Sequence, residues 1–267
     1  MTLNRSAVID PKVEKQIMKT LTKIEENHDV QILHAAESGS RAWGFHSPNS
    51  DYDVRFLYVH ERDWYLSIYP GRDVIELPIN ETYDVSGWDL KKTLHLAMKS
   101  NAVVMEWLQS PIIYKTSTDF TESLKTFCGD CFHTKALMYH YINLGTRQID
   151  QTWRTTETTQ IKKYFYMIRP AMALRWLAEN KGSKLAPMNI QDLMDGGNVP
   201  QAIRDMMDDL IAQKMACEEK AETKRIKTLD DFIMQEYSAA EERTADMSAP
   251  EKEMGRRADD LFRSWLV

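Results

Sequence analysis

Two aspartates one residue apart, Asp51 and Asp53, follow a Gly-Ser pair, Gly39-Ser40, after an interval of ten residues. The run continues as Val54-Arg55-Phe56-Leu57-Tyr58-Val59, which is β-branched, aromatic and apolar enough to predict a strand. Side chains alternate across a strand, so both carboxylates point to the same side, a few ångströms apart. Carboxylates that close repel each other unless a proton or a cation lies between them. Hard divalent ions such as Mg²⁺ take oxygen ligands and are usually held by one or two carboxylates plus substrate phosphates. Gly39 allows the backbone to approach a phosphate closely, and Ser40 offers a backbone N–H and a hydroxyl. A hard metal ion and a phosphate are the ligands this pattern suits; a surface hairpin with a solvated acidic turn is the bland alternative.

Gly39-Ser40, ten residues and Asp51-Tyr52-Asp53-Val54 resemble the signature of the DNA polymerase β nucleotidyltransferase superfamily. More narrowly, Gly39-Ser-Arg-Ala-Trp-Gly-Phe45, Ser47-Pro-Asn-Ser-Asp-Tyr-Asp-Val-Arg-Phe56 and Glu106-Trp-Leu-Gln-Ser-Pro111 look like the RNA-ligase-associated nucleotidyltransferases. The core of the likeness spans roughly the first 115 residues, and a weaker part runs to about Trp176.

The elements that must position these residues are readable in part. Asp10-Pro11 is a helix start, followed by Val13, Ile17, Leu21 and Ile24 at helical spacing, with an end expected near Asn27-His28. Val30 to Ala36 predicts the first strand, which delivers Gly39-Ser40 to a turn, and Arg41 to Phe45 predict a short helix. Pro70-Gly71 marks a turn, and Asn80 to Val85 predicts a third strand. The superfamily resemblance implies a third carboxylate on a neighbouring strand. Tyr83-Asp84-Val85 supplies the apolar-acid-apolar setting and places the role on Asp84. Asp89 is the competitor, but it precedes Leu90, Leu94, Ala97 and Met98 at helical spacing and reads as an N-cap; Glu76 is a more distant candidate. Glu106 reads as a buried glutamate and His95 as a histidine on a helix.

Beyond about Ser117 helices alone are expected, including Thr134 to Ile149 and the long Gln160 to Asn180, which Pro170 should kink. Lys162, Tyr166 and Arg169 share one helical face, usually a solvated one. The resemblance implies instead that a helical domain brings cations to a triphosphate, with Lys163 the best match and Arg169 next, and Tyr139 or Tyr166 able to stack on a base.

The chain has 267 residues and a net charge of −6, so no global basic field attracts nucleic acid, and RNA or nucleotide contact must come from a local patch. No charged-then-apolar leader is evident and no apolar run approaches the roughly 18 residues that span a membrane, so the expected location is the cytoplasm. Cys128-Gly-Asp-Cys131, followed by His133 and His140, lacks a second cysteine pair, and Cys217 lies far away, so buried thiols are expected rather than a zinc or redox site.

The expected fold is α+β: a small mixed sheet of the polymerase β type over residues 1–115, with helices on one side, then an all-helical domain over residues 116–267. The resemblance implies a Mg²⁺-dependent nucleotidyltransferase with two metal ions, Mn²⁺ being an alternative, held by Asp51, Asp53 and Asp84. Gly39, Ser40, Lys163 and Arg169 would bind the nucleoside triphosphate. The acceptor stays open among an RNA end, a tRNA, a small molecule and a protein hydroxyl. The alternative from another class is a catalytically silent nucleotide-binding or antitoxin-like partner protein.

Overall fold

A computed structural model describes residues 9–69, 71–149, 156–181, 185–216, 221–247 and 254–266. The chain forms two compact units, one built from Met1–Ala42, Asp51–Phe132 and Glu251–Val267, the other from Trp43–Ser50 and His133–Pro250.

The first unit opens with α1 (Pro11–His28), capped by Asp10, whose carboxylate accepts the Lys12 N–H at 2.7 Å. The expected stripe of Ile17, Leu21 and Ile24 is buried, and Asp29 closes the helix in the left-handed region. Five strands follow: β1 (Val30–Glu37), β2 (Tyr52–His60), β3 (Val74–Glu76), β4 (Tyr83–Asp89) and β5 (Ile113–Thr116). They form one mixed sheet in the order β3-β4-β2-β1-β5, in which β2 and β4 run parallel and the other neighbours antiparallel. Between them lie α2 (Ser40–Trp43), α3 (Arg62–Tyr65), α4 (Leu90–Met98) and α5 (Ala102–Gln109); α6 (Thr118–Cys131) follows β5.

Phe56, Leu57, Tyr58 and Val59 are all buried, although successive strand residues face opposite ways. Helices therefore cover both faces of the sheet, not one. α1 shares a core with Val54, Phe56, Tyr58 and Val85, whereas α5 and α6 pack on β1 and α4 on β2 and β4.

The second unit contains α7 (Thr134–Thr146), α8 (Ile161–Glu179), α9 (Ile190–Gly196), α10 (Gln201–Ala216) and α11 (Lys227–Ala245). It is not purely helical: β6 (Thr158–Gln160) and β7 (Glu222–Lys224) make a two-stranded ribbon. α8 runs continuously through Pro170.

A last helix, α12 (Gly255–Ser264), returns to the first unit and packs on α4 and α6. The division thus differs from a cut at residue 115. α6 stays with the sheet because Phe120, Leu124 and Phe127 are buried, and residues 43–50 leave it to pack on α8 and α10. Of the expectations above, the turn at Pro70 and the thiol of Cys217 lie outside the described residues. Cys128 and Cys131 are buried and form no disulfide, and burial pushes Cys128 up to about 12, which keeps it protonated and unreactive.

Candidate active site

The parallel register of β2 and β4 pairs Asp53 with Asp84 and Arg55 with Ser86. Side chains in register on neighbouring strands share a face, so the two carboxylates lie side by side, with Arg55 two residues further along the same face. Arg55 joins them: its Nη2 donates to Asp84 Oδ2 at 2.7 Å and to Asp53 Oδ1 at 3.1 Å. Its Nη1 donates to the Asp84 carbonyl at 2.8 Å and to the Val54 carbonyl at 3.2 Å. The period-2 spacing of Asp53 and Arg55 on β2 was a signal for this arginine, since both must point the same way.

The Gly-Ser turn is held onto β2 by a group that sequence reasoning missed. Glu37 ends β1 fully buried and accepts the backbone N–H of Asp53 at 2.9 Å, that of Gly39, and the Tyr114 hydroxyl at 2.5 Å. Burial raises its pKa, and these donors oppose the shift. The Ser38 N–H adds a bond to the Asp53 carbonyl at 2.9 Å. Arg41, also buried, donates from Nε to the Asp51 carbonyl at 3.2 Å and lies 3.9 Å over the Tyr52 ring. An acid closing an apolar strand was the only local signal for Glu37. Tyr114 is separated from it by 77 residues and carried none.

Gly39 is required by space. A Cβ there would lie 1.7 Å from Asp53 Oδ2 and 2.6 Å from its Cγ. The Asp53 carboxylate occupies the room a side chain would take. Gly39→Ala should therefore displace Asp53, destabilise the fold by about 1–3 kcal/mol as overpacked sites do, and lower any transfer activity at least a hundredfold. Unchanged activity in steady-state assays would mean that the Asp53 position is immaterial.

Burial, followed by the charge of Asp51, pushes Asp53 up to about 7; Arg55 opposes this, and Glu37 and Asp84 add smaller upward contributions. Asp51, Glu37 and Asp84 all press in the same direction, so the carboxylates that act on Asp53 outnumber the one guanidinium, that of Arg55, that opposes them. Among the described residues no cluster of three or more His, Cys, Asp or Glu side chains is drawn together as a metal would hold it. The chemistry of the donors still suits a hard divalent ion: the side chains are oxygen-only and carboxylate, and their charge is under-compensated.

Asp89 has the structural task read for it. It is 1% exposed, caps α4 by accepting the Lys91 N–H at 2.7 Å, and accepts the Tyr65 hydroxyl at 2.5 Å. Asp89→Ala should cost about 1–2 kcal/mol of stability through the lost cap and the stranded Tyr65 hydroxyl, with little effect on turnover. Asp84→Asn should do the reverse, and melting curves beside turnover numbers separate the two. Glu76 stands at the surface, paired with Arg72 at 3.1 Å. Glu106 is buried, and His95 is exposed, with Nδ1 2.9 Å from the Lys91 carbonyl of its own helix.

In the second unit, residues of the signature loop pack on helices. Phe45 stacks on Phe165 at 4.2 Å, and Gly44, at φ 89°, sits against the Asn189 side chain. Buried Lys214 donates to Ser47 Oγ at 3.2 Å. Arg169 is 3% exposed, donates from Nε to the Met188 carbonyl at 3.1 Å and lies 4.7 Å over the Trp43 ring. It also lines a small cavity with Trp43, Tyr166 and Pro170. Lys163 is exposed on α8.

A mixed sheet carrying Gly-Ser against an Asp-x-Asp strand, with a third aspartate on the parallel neighbour, defines the nucleotidyltransferase superfamily of the polymerase β type. A sequence profile of the RNA repair pathway DNA polymerase beta family (RlaP) matches residues 13–264. The chain belongs to that family. It is also similar to a protein of Bacillus subtilis (strain 168) called "Uncharacterized protein YcgL", with 39% identity over 250 residues, covering 94% of this chain and 95% of the relative.

Proposed function

We propose that this protein is a Mg²⁺-dependent nucleotidyltransferase that moves a nucleoside monophosphate from a nucleoside triphosphate to a hydroxyl at an RNA end. The observation that carries this reading is the in-register pair Asp53–Asp84 beside Gly39, with negative charge left over after Arg55. In the reaction the acceptor oxygen forms a bond to the α-phosphorus, the bond from that phosphorus to the β-phosphate oxygen breaks, and pyrophosphate leaves. Asp51, Asp53 and Asp84 would hold the ions. When bound, Mg²⁺ supplies neutralisation of the triphosphate and a lower pKa for the attacking hydroxyl.

The protein's own groups act around this centre. Gly39 and Ser40 would hold phosphate oxygens through backbone N–H groups and the Ser40 hydroxyl. Glu37, by gripping the N–H groups of Gly39 and Asp53, keeps the phosphate-binding turn and the acidic strand at a fixed spacing. Arg55 orients both carboxylates, and Asp84 would take the acceptor proton. Lys163 is the cation proposed for the triphosphate. Lys163→Ala should weaken binding of a non-hydrolysable triphosphate analogue in calorimetry; equal affinity would remove this residue. The family description supports an RNA acceptor over a small molecule or a protein hydroxyl.

One observation favours the silent alternative: Arg55 already bridges Asp53 and Asp84. Incubation with each α-labelled triphosphate, Mg²⁺ and total RNA or protein decides between them. Label appearing on RNA with equimolar pyrophosphate, and lost with chelator, is the expected result. Binding of a triphosphate with no product on any acceptor would establish the silent reading.

A further inference from the structure

The first unit holds a cavity of about 700 Å³ that the proposed chemistry does not use. It lies among α3, α4 and α12, where Arg62, Lys91 and Arg263 meet the apolar side chains of Leu66, Leu94 and Phe262. Arg62 and Lys91 are exposed and make no ion pair among the described residues. The cavity's one carboxylate, Asp259, stands 3.5 Å from Arg263 at the surface. In a chain of net charge −6 this gathers positive charge around an apolar floor. Leu66 is 68% exposed, and Phe262 meets the Tyr65 ring edge-on at 4.8 Å.

We infer that this groove binds a single-stranded segment of the RNA acceptor, with phosphates against Arg62, Lys91 and Arg263 and bases against Leu66 and Phe262. The inference rests on the reading of the protein as a nucleotidyltransferase acting on RNA. Cations that track a backbone beside apolar and aromatic surface are the chemistry by which single strands are held without sequence preference. The volume also lies within the roughly 300–1,000 Å³ of ordinary ligand sites. Its location adds the substrate class. Asp53 stands at the start of β2 and α3 follows its end, so groove and carboxylates are separated by about seven strand residues, or ~23 Å. A lone nucleoside cannot reach both. A strand of several nucleotides can, its body in the groove and its end at the carboxylates.

The test is fluorescence anisotropy with a labelled 12-nucleotide single-stranded RNA and the full chain in chelator, so that no turnover is needed. Wild type should bind, and Arg62→Glu/Lys91→Glu should bind at least tenfold more weakly. The slope of log affinity against log salt should fall by about 1.4, two contacts at roughly 0.7 each. Leu66→Asp should weaken binding with a smaller change in slope. Lys227→Glu, at an exposed lysine on α11, is the charge control and should bind as wild type does. No binding by wild type, no loss in the double variant, or an equal loss in Lys227→Glu would overturn the groove. Label transfer to an acceptor other than RNA, with no RNA binding, would remove the groove and leave the transferase reading standing. RNA held in the groove without any transfer would do the opposite.

Discussion

Asp53→Asn should abolish nucleotide transfer and yet leave the metal-free protein at least as stable as wild type above pH 7. Burial and neighbouring carboxylates raise the folded-state pKa of Asp53 from 3.8 to about 7. The folded chain therefore holds this proton more tightly than the unfolded chain does. The stability that comes with it is present at low pH and is lost as pH rises from about 4 through 7. The full shift corresponds to about 4 kcal/mol at most, reduced here because the side chain keeps 22% of its exposure. Wild type in chelator should thus melt at progressively lower temperature between pH 5 and pH 8. Asparagine cannot ionise, so the variant's profile should be flatter and should lie level with or above wild type at pH 8. Mg²⁺ should raise the wild-type melting temperature most at pH 8, where no proton competes for the carboxylate. Scanning fluorimetry at four pH values reads all of this. A variant that melts several degrees below wild type at pH 8 would make Asp53 a structural residue.

Arg55→Gln should have the largest effect on stability. It removes two ion pairs and two bonds to backbone carbonyls, and leaves Asp53 and Asp84 facing each other. Breaking a partly buried pair from one side typically costs about 3 kcal/mol or more. In a chain of this size that is a fall in melting temperature of roughly 6–12 °C. Because the loss is chiefly uncompensated charge, Asp53→Asn in the Arg55→Gln background should recover part of it, and a double-mutant cycle measures the coupling. Mg²⁺ should stabilise Arg55→Gln more than wild type. Additive effects in the cycle would show that Arg55 does not stabilise the Asp53 carboxylate.

The elements that carry Asp53 and Asp89 were readable from the sequence. The apolar continuation after Asp51-x-Asp53 declared the strand that runs from Tyr52 to His60. Asp89 announced itself as a cap through the helical spacing after it. The rest depended on partners that local pattern cannot name. Edge strands β3 and β5 have three and four residues and too little alternation to register. Glu37 acquires its role only when antiparallel β1 and β2 bring it against the Asp53 N–H. The burial of Arg169 was not legible because a cation on a helix face is usually solvated, whereas this one is buried over Trp43, 126 residues earlier in the chain. Nor does local pattern reveal that a stretch of eight residues inside the signature clusters with the other unit.

That interleaving bears on how the molecule is made. The first unit recruits α12 from the end of the chain, more than a hundred residues after α6. At a synthesis rate of roughly 5–20 residues per second, the growing sheet waits on the order of ten seconds for its last helix. During that interval the α4 surface that Phe262 and Ala258 later cover is open to chaperones and to other nascent chains. Neither unit corresponds to one uninterrupted stretch of gene, so a stop codon between residues 61 and 255 leaves the acidic strand translated but its unit unfinished.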